Sequence, residues 1–163
     1  MKEIFAEQLE KCQTDYFDFY LVHNGCEMNI DAYLDEEQYG IRTYLTEQRR
    51  NGKIKHLGFS VHGAKEVFDR FIEGYGDVME GCQIQLNWID WDVQDAMYKV
   101  ERLNELGIPI WVMEPLRGGK LAELPENVME PLQALRPNAS AAEWSMRYLQ
   151  SIPGVTTVLS GMS

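Results

Sequence analysis

The stretch KHLGFSV at residues 55–61 decides the fold of this chain. Its apolar and β-branched residues predict a short strand, and the turn signal Asn51-Gly52 stands just before it. The next segment, residues 64–74, carries four apolar side chains on one side of a predicted helix, namely Val67, Phe68, Phe71 and Ile72. A buried strand followed at once by an amphipathic helix is the repeating unit of a parallel α/β sheet.

The same unit repeats along the chain in both directions. Apolar and aromatic runs predict four further strands, at residues 16–22, 82–86, 108–113 and 155–159. Helical spacing predicts helices at residues 2–12, 31–50, 92–106 and 139–150, whereas residues 120–136 are less regular. Strands and helices that alternate five times predict a parallel sheet with right-handed crossovers. No linker rich in Pro, Gly or Ser divides the chain, so we expect a single domain over residues 1–163.

Two architectures are compatible with this pattern, an open doubly wound sheet and part of a (β/α)8 barrel. The patterns that mark nucleotide-binding open sheets, GxGxxG and GxxxxGK[ST], do not occur in the sequence. Polar residues lie close to the carboxyl end of every predicted strand, where barrel enzymes place their chemistry: His23, Ser60, Asn87, Arg117 and Ser160. This recurrence favours the barrel.

Composition and charge exclude some functions. The formal net charge of −11 argues against binding nucleic acid or an anionic membrane surface. Three cysteines without a CxxC pair predict free thiols in a reducing cytoplasm and no metal site. The N-terminal segment is charged rather than leader-like, and no stretch approaches the roughly 20 apolar residues that cross a bilayer.

Five segments, taken in order, resemble the aldo-keto reductase family. They are TDYFDFYLVH from Thr14, GKIKHLGFSVH from Gly52, CQIQLNWID from Cys82, GIPIWVMEPLRGGKL from Gly107 and PGVTTVLSGMS from Pro153. They look like strands four to eight of the family's (β/α)8 barrel and cover essentially the whole chain, so the resemblance implies an incomplete barrel domain. The last two segments are similar to a bacterial branch whose full-length members can carry a ferredoxin-like C-terminal extension, which is not among these residues.

The resemblance implies an NAD(P)H-dependent oxidoreductase that reduces aldehyde or ketone carbonyls. The family's catalytic set is a tyrosine acid, a lysine that lowers its pKa, an aspartate paired to the lysine, and a histidine. Only the histidine has a match here, His23, which would orient the substrate carbonyl. The other three belong to the second and third strands, so we expect them upstream and expect the isolated chain to be inactive. A loop histidine held by hydrogen bonds is the plainer interpretation of His23.

The resemblance also implies residues that hold the nicotinamide end of the cofactor. Ser60 and Gln83 match the family positions that hydrogen-bond the carboxamide, although the asparagine that usually follows the serine is Val61 here. Met113 falls where relatives place a ring against the nicotinamide. Capping of strand ends and core packing are the corresponding structural roles.

At the phosphate end, the loop at residues 117–120 contains Arg117, Gly118 and Gly119 and would approach the pyrophosphate. Ser160 would begin the family's phosphate-binding segment. A Gly-Gly turn with flanking charges is the alternative interpretation. The family cofactor is NADPH, and NADH is also compatible with the sequence.

Two other functions stay open. One is a non-catalytic nucleotide-binding or regulatory module derived from the same barrel. The other is an unrelated barrel hydrolase, in which Asp90 or Glu114 would share a metal with His23. We expect a small carbonyl compound as the substrate, and we expect open sheet edges to favour self-association of the chain.

Overall fold

The computed structural model describes residues 1–159 and has a mixed α/β architecture. The strands are β1 (Phe17–Gly25), β2 (Ile54–Val61), β3 (Cys82–Gln85), β4 (Ile110–Met113) and β5 (Val155–Val158). The helices are α1 (Lys2–Lys11), α2 (Ile30–Leu34), α3 (Ile41–Arg50), α4 (Lys65–Tyr75), α5 (Asp90–Val93), α6 (Ala96–Glu105), α7 (Glu126–Leu135) and α8 (Ala141–Gln150). A short 3-10 turn, Gly76–Val78, follows α4.

The strands form one sheet in the order β1-β2-β3-β4-β5, which is also their order along the chain. The pairs β1–β2 and β4–β5 are both parallel. Parallel neighbours need a crossover, and helices provide it between successive strands. The prediction of a parallel α/β sheet is therefore confirmed, and each of the five strands lies within a few residues of its predicted position.

Two compact units make up the chain, Met1–Gln83 and Ile84–Ser163. Stacked aromatic rings fill the core of the first unit. Phe59 of β2 stacks on Phe71 of α4 with ring centroids 4.5 Å apart, and Phe71 stacks on Tyr75 at 4.6 Å. Such ring pairs contribute about 0.5–1.5 kcal/mol each beyond the burial of their surface. The stack holds α4 against β2 and thereby supports the carboxyl half of that strand.

Charged side chains tie together the first unit near the amino ends of its strands. Lys55 Nζ lies 2.8 Å from Asp18 Oδ1. The Glu80 carboxylate contacts Arg49 Nη1 at 2.6 Å through one oxygen and His56 Nδ1 at 2.7 Å through the other. These groups are at least partly exposed, so salt weakens the attraction between them.

A close approach between α6 and the start of β5 shapes the second unit. The Ile110 amide of β4 donates to the carbonyl of Gly154 at 2.8 Å. Gly154 has a φ of +81°, and a Cβ atom there would lie 2.5 Å from Asn104 Oδ1. Asn104 Nδ2 also donates to the Pro153 carbonyl at 3.0 Å. Only glycine fits both the backbone angle and the space.

Two predicted helices are each divided. Residues 31–50 form α2 and α3, because Gly40 adopts a φ of +56° and the Glu36 carboxylate accepts the amides of Arg42 at 2.6 Å and Thr43 at 3.1 Å. Residues 92–106 likewise break at Asp95, where φ is +51°, and α5 precedes the break. The apolar spacing continues across both breaks, so periodicity alone predicted a single helix in each case.

A helix that the sequence analysis missed, α7, lies within the segment described above as less regular. It contains Pro131, which removes one helical hydrogen bond, and it has no buried residue. Its apolar residues Val128 and Leu132 instead line a groove of about 370 Å³, together with Trp88 and Leu121.

Candidate functional site

The carboxyl end of β1 is bulged at His23 and Asn24. Val22 pairs with Phe59 and Gly25 pairs with Val61, so β1 has one residue more than β2 over this interval. Asn24 has a φ of +58°, which asparagine tolerates better than most residues. Bulges of this kind occur often beside active sites because they redirect a side chain. We call residues 23 and 24 the His23 bulge.

Three side chains hold the backbone of the His23 bulge. Ser60 Oγ accepts the Asn24 amide at 2.8 Å, and Tyr33 Oη donates to the His23 carbonyl at 2.6 Å. Asn29 Nδ2 donates to the Asn24 carbonyl at 2.7 Å. The bulge is therefore fixed by these side chains rather than by hydrogen bonds between the strands. The His23 side chain extends from the bulge and is exposed to solvent.

At neutral pH, the Tyr33 hydroxyl does not lose the proton that it donates to the His23 bulge. Burial raises the pKa of the Tyr33 hydroxyl, and the neighbouring Cys26 raises that pKa further. Tyr33 is therefore protonated and remains a donor to the His23 carbonyl. Tyr75 supports it in turn, since Tyr75 Oη donates to the Tyr33 carbonyl at 2.6 Å.

Of the predicted residues in the first unit, the structure brings His23 and Ser60 together across the bulge. Ser60 is 2% exposed, and its oxygen is used by Asn24. A serine hydroxyl also has a proton to donate, so the bond from Asn24 leaves that capacity unused. Gln83 lies on β3 and is half-buried. The capping role that the sequence left open for Ser60 is present, and it is compatible with a further contact.

In the second unit, the loop after β4 has an unusual backbone. Four of its residues have positive φ: Glu114 at +56°, Arg117 at +48°, Gly118 at +61° and Gly119 at +87°. For a residue other than glycine this region costs about 1–2 kcal/mol. Strained backbone of this kind is concentrated at functional sites, where surrounding contacts maintain it. We refer to this segment as loop 114–119.

Asn87, which follows β3, connects that strand end to loop 114–119. Its Nδ2 donates to the Glu114 carbonyl at 3.0 Å and to Asp90 Oδ2 at 2.5 Å. Its Oδ1 accepts the backbone amides of Ile89 and Asp90 at 3.0 and 2.9 Å. Asn87 is 1% exposed, so all of these bonds are shielded from water. One amide side chain thus joins the start of α5 to the strained loop.

Asp90 is the most unusual group in this unit because its carboxylate has no exposed surface. Oδ2 accepts hydrogen bonds from Gln85 Nε2 at 2.8 Å and from Asn87 Nδ2. Within residues 1–159, Oδ1 has no hydrogen-bond partner, although Arg117 Nε lies 3.4 Å away. That distance and its geometry make an ion pair without a hydrogen bond. An isolated buried charge is costly, so Arg117 is the group that compensates it.

Two predicted positions remain. Met113 ends β4 half-buried, and its carbonyl accepts the Leu86 amide at 3.2 Å. Ser160 lies outside the described residues. Within residues 1–159, no three His, Cys, Asp or Glu side chains are grouped closely enough to hold a metal ion. The hydrolase alternative, which needs such a group, therefore gains no support from this part of the chain.

The donor groups of the second unit fit a phosphate. Arg117 offers a planar guanidinium whose side chain is 32% exposed. A Cβ atom added to Gly118 or Gly119 would meet no atom within 4 Å, so the space beside these glycines is open. A cation beside glycines with positive φ is an arrangement that can receive an anion. Sequence reasoning missed the network of Asn87 and Asp90 beneath this loop, although the N-x-x-D spacing directly after a strand is a signal that could have indicated it.

Comparison with known proteins identifies the family. The sequence model of the Aldo/keto reductase family matches residues 1–163, and the chain belongs to that family. Among the part of the chain that the structure describes, no helix is long and apolar enough to span a membrane.

Solved structures establish the same fold. The chain is similar to the holo form of aldo-keto reductase AKR11C1 from Bacillus halodurans, with a TM-score of 0.74 and 24% identity over 99% of this chain and 54% of that one. It is also similar to an aldo/keto reductase from Klebsiella pneumoniae in complex with NADP and acetate, with a TM-score of 0.69 and 17% identity over 99% and 54%. These neighbours are (β/α)8 barrels, so the five strands correspond to part of such a barrel.

A curated relative gives the same picture. The uncharacterized oxidoreductase YqkF of Bacillus subtilis is 23% identical over 185 residues, covering 100% of this chain and 56% of that protein. The chain thus spans about half the length of the relatives that it matches.

Proposed function

We propose that this chain is part of an oxidoreductase that uses a nicotinamide dinucleotide, with NADPH preferred, to reduce the carbonyl group of a small aldehyde or ketone. The observation that carries the proposal is the His23 bulge, a strand-end histidine held by three side chains in a chain of the Aldo/keto reductase family. The Klebsiella pneumoniae neighbour in complex with NADP supports the choice of cofactor.

His23 is proposed to bind the substrate oxygen. Its exposed imidazole can donate a hydrogen bond to a carbonyl and so orient the carbonyl carbon. The dinucleotide, when bound, supplies the hydride. The proton of the product alcohol would come from the family's tyrosine, for which no position of this sequence is a match. The activity is accordingly proposed for the whole protein.

Ser60 and Gln83 are proposed to hold the carboxamide of the nicotinamide. The Ser60 hydroxyl retains a proton to donate, and a glutamine side chain offers both a donor and an acceptor. Fixing the carboxamide selects which face of the ring meets the substrate. Met113, half-buried at the end of β4, is proposed to pack against the ring through its thioether.

Loop 114–119 is proposed to bind the diphosphate. Arg117 supplies charge and a bidentate fork, and Gly118 and Gly119 allow the backbone to approach a ligand closely. Ser160 is proposed to contribute to the same end of the cofactor.

The experiment is NADPH binding to the 163-residue chain, followed by calorimetry and by quenching of tryptophan fluorescence. We expect saturable binding that Gln83→Ala weakens about tenfold, the loss typical of one or two hydrogen bonds. Gln38→Ala is the matched control, since Gln38 is exposed in the loop before α3. No binding at millimolar NADPH, or an equal loss in both variants, would refute the proposal. NADH titrated in parallel measures the preference.

A non-catalytic nucleotide-binding module is the second candidate, because His23 is the one member of the family's catalytic set that this sequence matches. The two candidates differ in turnover. Oxidation of NADPH in the presence of simple aldehydes, measured both for the 163-residue chain and for the whole protein, separates the two candidates. Binding of NADPH without turnover in both proteins would favour the module.

We also propose that the protein is cytoplasmic. The three cysteines, Cys12, Cys26 and Cys82, form no disulfide bonds, which suits the reducing cytoplasm. Within the described sheet, β1 and β5 each have one neighbouring strand. We propose that these edges pair between copies, so that the chain self-associates. Analytical ultracentrifugation tests this, and a monomer at all concentrations would contradict it.

A further inference from the structure

The hydrogen bonds that Asp90 accepts do not require its negative charge. Oδ2 accepts two amide donors, and the side-chain oxygen of an asparagine could accept the same two. Oδ1 forms no hydrogen bond within residues 1–159. What the carboxylate adds over an amide is a negative charge with no exposed surface, and such a charge is expensive to bury.

One cation, the Arg117 guanidinium, lies close to that charge. Arg117 Nε lies 3.4 Å from Oδ1. A guanidinium that meets a carboxylate through Nε can still bind a bidentate ligand through its two terminal nitrogens, Nη1 and Nη2. Arg117 also has a φ of +48°, a backbone conformation that an arginine adopts only at a cost. The backbone and the buried carboxylate both constrain where the fork lies.

We infer that Asp90 is a positioning residue, which holds the Arg117 guanidinium in place so that loop 114–119 binds a diphosphate group. The inference rests on the proposed function and deepens it, because it names the group that prepares the loop before the ligand arrives. Holding a long side chain in its bound position removes part of the entropy that binding would otherwise cost. Asn87 complements this by holding the Glu114 carbonyl at the start of the loop.

Electrostatics alone predicts the opposite effect of Asp90. A negative charge close to an anion site repels the anion, so removing it should strengthen binding. If Asp90 acts by positioning Arg117, removing its charge should weaken binding instead. The sign of one change in affinity therefore distinguishes the two roles.

The test uses inorganic pyrophosphate and NADPH as probes, titrated calorimetrically into the 163-residue chain. Asp90→Asn is expected to weaken both by about tenfold, the scale of one charge-assisted hydrogen bond. Asp92→Asn removes the same charge from an exposed position of the same helix and should have little effect or strengthen binding slightly. Equal or tighter binding by Asp90→Asn would overturn the inference.

A double-mutant cycle ties the effect to Arg117. Arg117→Ala should weaken pyrophosphate binding, and adding Asp90→Asn to it should cause no further loss, because the guanidinium that Asp90 holds is gone. Arg50→Ala is the charge-matched control, since Arg50 is exposed at the end of α3. The same loss from Asp90→Asn with and without Arg117 would mean that Asp90 acts only on the fold, and it would overturn the inference.

A measurement on the unchanged protein remains decisive if Asp90→Asn does not fold. In nitrogen-15 NMR without ligand, we expect the Arg117 Nε–H proton to exchange with water several-fold more slowly than that of Arg50, because Nε faces a buried carboxylate. Equal exchange rates would refute positioning. This readout needs no cofactor: slow exchange with no NADPH or pyrophosphate binding would refute the proposed function alone, and binding with fast exchange would refute the inference alone.

Discussion

The Oγ atom of Ser60 accepts the backbone amide of Asn24 over 2.8 Å. This bond crosses the point where β1 has one residue more than β2. A residue expected to contact the cofactor is therefore also one of the three whose side chains fix the bulge carrying His23. Ser60 is 2% exposed, so its hydroxyl is shielded from bulk water. The Ser60 hydroxyl thus has a structural role in the bulge and a proposed role in cofactor binding.

Replacing Ser60 by alanine should destabilise the chain. The Asn24 amide would lose its partner in a partly buried position, which costs about 1–3 kcal/mol. Urea unfolding followed by circular dichroism measures the difference. Ser151→Ala is the control, because the Ser151 hydroxyl is exposed. Equal stability of both variants would show that the bulge does not depend on Ser60.

Tyr33→Phe should loosen the His23 bulge without changing the size of the side chain. It removes the 2.6 Å hydrogen bond to the His23 carbonyl, worth about 0.5–1.5 kcal/mol. The imidazole resonances of His23 should shift in proton NMR, because the backbone beneath them is no longer held. Tyr39→Phe, at an exposed tyrosine, should change neither quantity. Unchanged His23 resonances in Tyr33→Phe would contradict a positioning role.

Alkaline pH should destabilise the chain. Burial raises the pKa of Tyr20, Tyr33, Tyr44 and Tyr75, with neighbouring groups adding to the effect. In the unfolded chain these tyrosines lose their protons near pH 10, with a usual pKa of about 10. The folded chain then binds more protons than the unfolded one, so the free energy of unfolding is highest below this pH and falls as pH rises through it.

Urea unfolding at a series of pH values between about 8 and 11 tests this dependence. The pKa of Tyr75 is raised well above its usual range, chiefly by burial and also by Glu36. Tyr75→Phe should therefore make the decline with pH shallower, even though it removes a hydrogen bond. A decline of the same steepness in Tyr75→Phe would show that buried tyrosines do not cause the alkaline loss.

Two glycine substitutions separate backbone strain from steric overlap. Gly154 and Gly52 have similar φ values of +81° and +75°, so alanine at either should cost about 1 kcal/mol for its backbone conformation. At Gly154 the new Cβ would also overlap Asn104, whereas at Gly52 nothing lies within 4 Å. Gly154→Ala should therefore lower the melting temperature clearly more than Gly52→Ala. Equal shifts would mean that Asn104 moves aside freely.

The strands could be predicted because short apolar runs between turn signals need no long-range information. Residues 55–61 illustrate this, since β2 begins only one residue earlier, at Ile54. The breaks at Gly40 and Asp95 could not be predicted in the same way. A left-handed residue interrupts a helix without disturbing the spacing of apolar residues on either side, so the pattern continues while the hydrogen bonds do not.

The sequence predicted individual candidate residues, but it did not predict the contacts between them. His23 and Ser60 were both identified, yet their link through Asn24 depends on a one-residue shift between β1 and β2. Register of this kind is decided by pairing across the sheet rather than by local sequence. Similarly, the sequence marked Asp90 as an acidic residue after a strand, but it did not predict the burial of Asp90 or its contact with Arg117, because both arise from the turn that Asn87 makes after β3.

The β1–β2 pair has different chemistry at its two ends, and this matters for engineering. Near the amino ends, the contacts of Lys55 with Asp18 and of Arg49 and His56 with Glu80 are adjustable surface charges. At the carboxyl end, the bulge tolerates little change because Ser60, Asn29 and Tyr33 each hold a different backbone group of it. A library that aims at higher thermal stability can therefore vary the amino-end charges while the carboxyl end, with the His23 bulge, is kept constant.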